Sequence, residues 1–150
     1  MPSIIPSYVY TIVASLIVGT LIVTACGLAT VNVKAEAETQ QLSNIANYIA
    51  TKSMALLANT PSDNSNLTTN LDLPTAIGNQ RYWIQILNDS SIAWVEAGFG
   101  DTVFSSAQLA TIPCIISASG IYISGSGPAF LECENSASGL YLNLYGGSQT

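Results

Sequence analysis

Residues 8–33 carry no charged side chain, and the helical pattern that fills them continues, now one-sided, to about Leu57. A helix that is apolar on every side must be surrounded by lipid or by other helices. One that is apolar along a single stripe packs against its own domain. Together the two halves describe a hydrophobic stalk carrying a soluble head, a subunit rather than a free monomer.

The start of the helix is set by Pro2 and Pro6, since proline is tolerated in a first helical turn. At 1.5 Å per residue the run 8–33 is roughly 39 Å long, more than the roughly 30 Å of bilayer hydrocarbon. A secretory signal is a weaker reading, because its apolar region is shorter and follows a basic start. Within the run, Ser15 and Gly19 stand four apart, as do Ala25 and Ala29, with Gly27 between the latter pair. Such spacing lets helix backbones approach closely where no water drives their association.

After Lys34 the pattern changes. Leu42, Ile45, Ile49 and Leu56 fall on one stripe, predicting helix-to-head packing, with Gln40, Gln41, Asn44, Asn47 and Lys52 off it. No Gly or Pro interrupts residues 28–60, so one continuous helix of about 50 residues is expected, with Pro61 as its stop. The expected organisation is a helix over 1–58 (apolar 5–33, amphipathic 34–57), a linker over 59–66 and a β-rich head over 67–150.

In the head, 81–87 and 91–96 flank Asn88-Asp89-Ser90 as a hairpin. Strands over 111–117, 120–124, 129–134 and 139–145 follow, separated by Gly, Ser and Pro. The last is clearest, with Leu140, Leu142 and Leu144 on one face and Tyr141, Asn143 and Tyr145 on the other. The fold class is therefore α+β: a long N-terminal hydrophobic helix followed by an antiparallel, sandwich-like or small-barrel head.

Composition narrows the function. Charged residues are 8% of the chain, against about 25% in ordinary soluble domains. Three cations, Lys34, Lys52 and Arg81, oppose nine acids for a net charge of -6. That leaves no basic patch for phosphates, so nucleic acid is not an expected partner. A surface wetted by Ser, Thr, Asn and Gln responds little to pH or salt, which suits an exposed extracellular position.

The chain has no His, the usual base beside a catalytic nucleophile. Glu132 and Glu134 share one strand face, a pairing more in keeping with two solvated acids than with a catalytic dyad. Gly125-Ser126-Gly127 lacks the Lys and helix of a phosphate loop. Neither an enzyme nor a cofactor is expected. The three cysteines, Cys26, Cys114 and Cys133, form no Cys-x-x-Cys pair, so zinc and thioredoxin-like readings fall away. Cys26 reads as a small packing residue. Cys114 and Cys133 share parity with inward-facing neighbours, and a disulfide between them would contribute about 3 kcal/mol in the chain-entropy model. Two unrelated buried thiols are the alternative. Asn66-Leu67-Thr68 and Asn88-Asp89-Ser90 are glycosylation sequons, both in expected loops.

A leading uncharged helix, amphipathic in its second half and opening into a β head, resembles the type IV pilin plan. The stretch from Leu73-Pro74 through Ile77-Gly78-Asn79 to Tyr82, Ile84 and Ile86 looks most like the segment that opens the β domain of archaeal pilin-like proteins. The resemblance implies a fibre whose core is a bundle of apolar helices, with β heads, often glycosylated, outside. It implies a homopolymer on the extracellular surface, membrane-inserted before assembly and served by pilus assembly machinery, with a role in adhesion or surface motility. Two features depart from that plan. Met1-Pro2-Ser3 offers no basic leader, and the first acid is Glu36, so the near-terminal glutamate of bacterial pilins has no counterpart.

Two other readings compete. A single-span, membrane-anchored β-sandwich binding module, like an archaellum accessory protein, would use the same helix as an anchor. A secreted β domain would lose its first 30 or so residues as a leader. An anchor with an external head conflicts with the positive-inside rule, because the nearest cation, Lys34, lies on the head's side.

Overall fold

A computed structural model of the chain describes residues 4–61, 65–89, 92–103, 108–113, 116–136 and 139–147. One helix, α1 (Ile4–Asn59), precedes seven strands: β1 (Asn66–Leu71), β2 (Tyr82–Asn88), β3 (Ala93–Phe99), β4 (Gln108–Ile112), β5 (Ser117–Ile123), β6 (Ala129–Ser136) and β7 (Gly139–Gly146). The fold class is α+β, a long apolar N-terminal helix followed by a mostly antiparallel sheet. By contacts the chain divides into two compact units, Met1–Ala37 and Glu38–Thr150.

Helix α1 runs without interruption through the point where its sequence changes character. Its last turn is closed by side chains: Asn59 Nδ2 donates to the Ala55 carbonyl and Thr60 Oγ1 to that of Leu56, both at 2.8 Å. Each side chain folds back onto a carbonyl four residues earlier, the usual local bond of Asn and Thr in a helix. Pro61 then cannot continue the ladder.

In the second unit, the residues of α1 at 42, 45, 46, 49, 50 and 56 are buried, following the three- and four-residue steps of one helix face. They join a single core with inward residues of the sheet, among them Leu71, Ile84, Ile86, Val95, Ile112, Leu131, Leu142 and Leu144. Ser53, on the same stripe and fully buried, donates its hydroxyl to the Ile49 carbonyl at 2.8 Å and leaves nothing unsatisfied.

The strand order is β1-β6-β7-β5-β2-β3-β4. The hairpin expected around Asn88-Asp89-Ser90 is β2–β3, closed by Asp89, whose amide donates to the Ile92 carbonyl and whose Oδ1 accepts from the Ile92 amide. The sheet has one exception to antiparallel pairing: β5 runs parallel to β7 over 117–120. Over 121–123 the same strand pairs antiparallel with β2 instead. Gly120 sits at the changeover with φ +126, and a Cβ there would overlap the Leu144 backbone. Only glycine allows β5 to leave one neighbour for the other at that point.

Three expectations change. The strand read over 111–117 is two pieces, β4 ending at Ile112 and β5 beginning at Ser117, because Pro113 has no amide to carry the ladder on. The strand read over 120–124 begins earlier, at Ser117. Residues 66–71, taken largely as linker and loop, form edge strand β1, paired antiparallel with β6.

The Leu73-Pro74 segment has a definite role. Ile77 and Gln80 exchange both backbone hydrogen bonds at 3.0 Å around a turn in which Gly78 has φ +59. The positive φ favours glycine at this turn, and a Cβ there would also push the Glu38 carboxylate of α1 aside. Tyr82 then ties the segment down, its buried phenol donating to the Pro74 carbonyl at 2.6 Å.

Burial, with the neighbouring Tyr122 phenol, holds the Tyr82 pKa far above its ordinary value of 10.0; burial raises Tyr122 as well, partly offset by a hydrogen bond with the Gly125 backbone. Protons are therefore held more tightly in the fold than in the unfolded chain. The resulting stability is complete below pH about 10 and is lost as the pH rises beyond it. In an alkaline titration these two of the seven tyrosines should ionise only together with loss of the sheet's circular dichroism. A gradual titration of all seven before unfolding would contradict the burial. Ile49→Ala should lower stability by about 2–5 kcal/mol, measurable in denaturant, since Ile49 is fully enclosed.

Candidate assembly and binding surfaces

The apolar half of α1 presents its side chains in all directions. Fourteen large apolar residues between Tyr8 and Val33 are each at least 44% exposed within the chain. The helix is long and apolar enough to cross a membrane, with a mean hydropathy of 2.4 in its most apolar stretch. Four of its hydroxyls are turned back onto the backbone. Ser15, Thr20, Thr24 and Thr30 donate their hydroxyls to carbonyls three or four residues back, at 2.8–2.9 Å. A hydroxyl satisfied this way does not need water.

The expected packing residues Ser15, Gly19, Ala25, Gly27 and Ala29 all lie on this exposed helix. Gly19 is the focus of two shallow grooves. One, of about 410 Å³, runs past Ser15, Leu16, Thr20 and Val23; the other, of about 490 Å³, past Thr11, Ala14, Val18 and Ile22. Both have Ser15 and Gly19 in their floor, and nothing lies within 4 Å of a Cβ built on Gly19 or Gly27. The helix is therefore notched where the four-residue spacing of small residues lowers its surface.

Leu42, Ile45, Ile49 and Leu56 sit at 8% exposure or less in the head core. Cys26 is exposed on the apolar helix. Cys133 is buried in β6 between Leu67 of β1 and Leu142 of β7, and its thiol is free. The bridge expected between Cys114 and Cys133 involves Cys114, which lies outside the described residues. Of the two sequons, Asn66 stands not in a loop but at the start of β1, its amide donating to the Glu132 carboxylate. Asn88 is the exposed last residue of β2.

Arg81 serves the fold. Its Nε and Nη2 both donate to the Ser124 carbonyl, at 3.0 and 2.8 Å, and Nη1 pairs with Asp101 at 3.0 Å. Lys52 lies 5.7 Å from the Tyr48 ring centroid on α1.

The face of β1-β6-β7-β5 turned away from the core forms rows across the sheet. Asn66, Glu134, Tyr141 and Ser117 make the first row, and Thr68, Glu132, Asn143 and Ser119 the second. Asn70, Phe130 and Tyr145 make the third, with Phe130 and Tyr145 stacked at a centroid distance of 5.6 Å. Glu132 and Glu134, matched in parity in the sequence, do share this face, but in neighbouring rows and with different partners. Glu132 accepts from Asn66, and Glu134 is exposed. The Tyr141 phenol contacts the Ser119 hydroxyl. Sequence parity could place Tyr141, Asn143 and Tyr145 together on β7. It could not assemble the rows, which depend on pairing among four strands. Among the described residues no cluster of His, Cys, Asp and Glu could hold a metal ion.

No family model matches the chain, and neither a curated protein nor a solved structure matches it.

Alkylation followed by mass mapping tests the environment of Cys133. The thiol should modify only after denaturation, because it lies fully buried in the head core. Recovery of a peptide cross-linked through Cys114 and Cys133 would instead establish the bridge.

Proposed function

We propose that the chain is the structural subunit of an extracellular filament of the type IV pilus kind, polymerising through residues 5–33 of α1. The observation that supports this reading is the apolar helix half, exposed all round in the single chain and notched at Gly19. Leaving fourteen large apolar side chains in water would cost on the order of tens of kcal/mol, so another surface must cover them. Before assembly the cover is the membrane; after it, the same helix of neighbouring copies. Lipid is already as apolar as leucine, so the gain on assembly comes from closer packing, which the notch at Ser15 and Gly19 permits.

The resemblance of the whole chain to archaeal pilin-like proteins points the same way, as does the Leu73-Pro74 segment that enters the sheet. The filament's role is adhesion or surface motility, its partners are further copies of itself and the assembly machinery, and it performs no catalysis. A single-span anchor carrying a binding head is the second reading, favoured by the length and hydropathy of α1. Lys34, just before the head, argues against a permanent span with the head outside.

Shearing cells should release the chain in high-mass, sedimentable filaments visible by electron microscopy. Recovery only from detergent-solubilised membranes, as monomer or small oligomer, would favour the anchor. Gly19→Leu should fill the notch and abolish filaments while the head's thermal unfolding stays as in the wild type. Normal filaments from that variant would exclude close packing at this position.

A further inference from the structure

We infer that the outer face of β1-β6-β7-β5 is a binding site for a neutral polysaccharide. The inference does not depend on polymerisation, since the face belongs to the head alone and would serve a filament or an anchored module equally.

The chemistry of the face is that of a sugar's complement. A pyranose offers patches of C–H, which pack on aromatic rings, and vicinal hydroxyls, which both donate and accept. Along β7, Tyr141 and Tyr145 bracket Asn143, separated by roughly 13 Å at the rise of an antiparallel strand. Aromatic side chains at the two ends of this track offer rigid apolar faces, widened at one end by the Phe130 stack. Between them lies Asn143, whose carboxamide offers two donors and an acceptor. It is half-buried, yet its side chain has no hydrogen-bond partner among the described residues. Among the described residues no buried side-chain nitrogen or oxygen lacks a partner, so the Asn143 amide reaches solvent and is accessible to a ligand hydroxyl.

At the Tyr141 end the face deepens into a cleft of about 390 Å³, lined by Ser117, Glu134, Ser136 and Tyr141 among others. Hydroxyls and a carboxylate at a ring's edge suit the rim of a sugar whose flat side rests on that ring. The track is also preorganised: Asn66 engages Glu132, and Ser119 engages the Tyr141 phenol, so the side chains are held before any ligand arrives.

Charge selects among glycans. Glu132 and Glu134 both lie on the face, whereas the chain's three cations are elsewhere. Lys34 and Lys52 are on α1, and Arg81 is bound to the Ser124 carbonyl and Asp101. Uronates, sulfated sugars and phosphate-bearing polymers are therefore repelled, and an uncharged chain of sugars is the fitting occupant.

The test uses the full-length chain in a zwitterionic detergent without a sugar headgroup, so that the micelle cannot compete. Binding is measured to insoluble cellulose, β-1,3-glucan and mannan, with alginate as the acidic comparison. The chain should be retained by at least one neutral polymer and not by alginate. Tyr141→Ala and Asn143→Ala should each weaken that binding at least tenfold with thermal unfolding unchanged, and Thr111→Ala on β4 should leave it intact. Failure to bind any of the three neutral polymers, equal retention by alginate, or undiminished binding by both variants would overturn the assignment. So would binding that appears only in Asn66→Gln protein, because the face would then be covered by the chain's own glycan.

Discussion

Burial of Leu42, Ile45, Ile49 and Leu56 against the sheet is the contact on which the head depends. A sheet with one apolar face must have that face covered, and here the cover is the amphipathic half of the same helix whose other half is apolar all round. The cover is continuous in sequence with the exposed apolar half, and its residues 42, 45, 46, 49, 50 and 56 are part of the head's own core. Ser53 marks how complete the enclosure is: a hydroxyl fully inside the core, tolerated because its own helix satisfies it.

Strand β5 makes the sheet one piece. Its first half belongs with β7 and its second with β2, and Gly120 is the residue at which the allegiance changes. The ladder β1-β6-β7 carries the polar and aromatic outer rows, while β2-β3-β4 supplies much of the densest burial, including Ile84, Ile86 and Val95. The parallel pairing of β5 with β7 places Ser117 and Ser119 beside Tyr141 and Asn143. An antiparallel meander of the same strands would not have brought those side chains into these two rows.

Much of this was legible in the residues. The charge-free run and the stripe at 42, 45, 49 and 56 specified α1, because helical periodicity is local and strong. Strand β7 was legible for the same reason: its alternation buries Leu142 and Leu144 and turns Tyr141 outward. Strand β1 was not, because Asn-Leu-Thr-Thr-Asn-Leu reads as loop composition; as an edge strand it needs little more than Leu71 in the core. The Ser-Ala-Ser-Gly start of β5 likewise reads as turn, and its parallel partner lies about two dozen residues away, a pairing set by tertiary context. The notch at Gly19 was anticipated from spacing. The outer aromatic track was not, since Phe130 and Tyr145 meet only when β6 and β7 are in register.

Ser15, Thr20, Thr24 and Thr30 have their hydroxyls folded onto their own helix. A rod with its hydroxyls quenched internally can trade one greasy environment for another with almost no electrostatic toll in either direction. The same internal closure means that none of these four hydroxyls has a water partner to lose when its surroundings change.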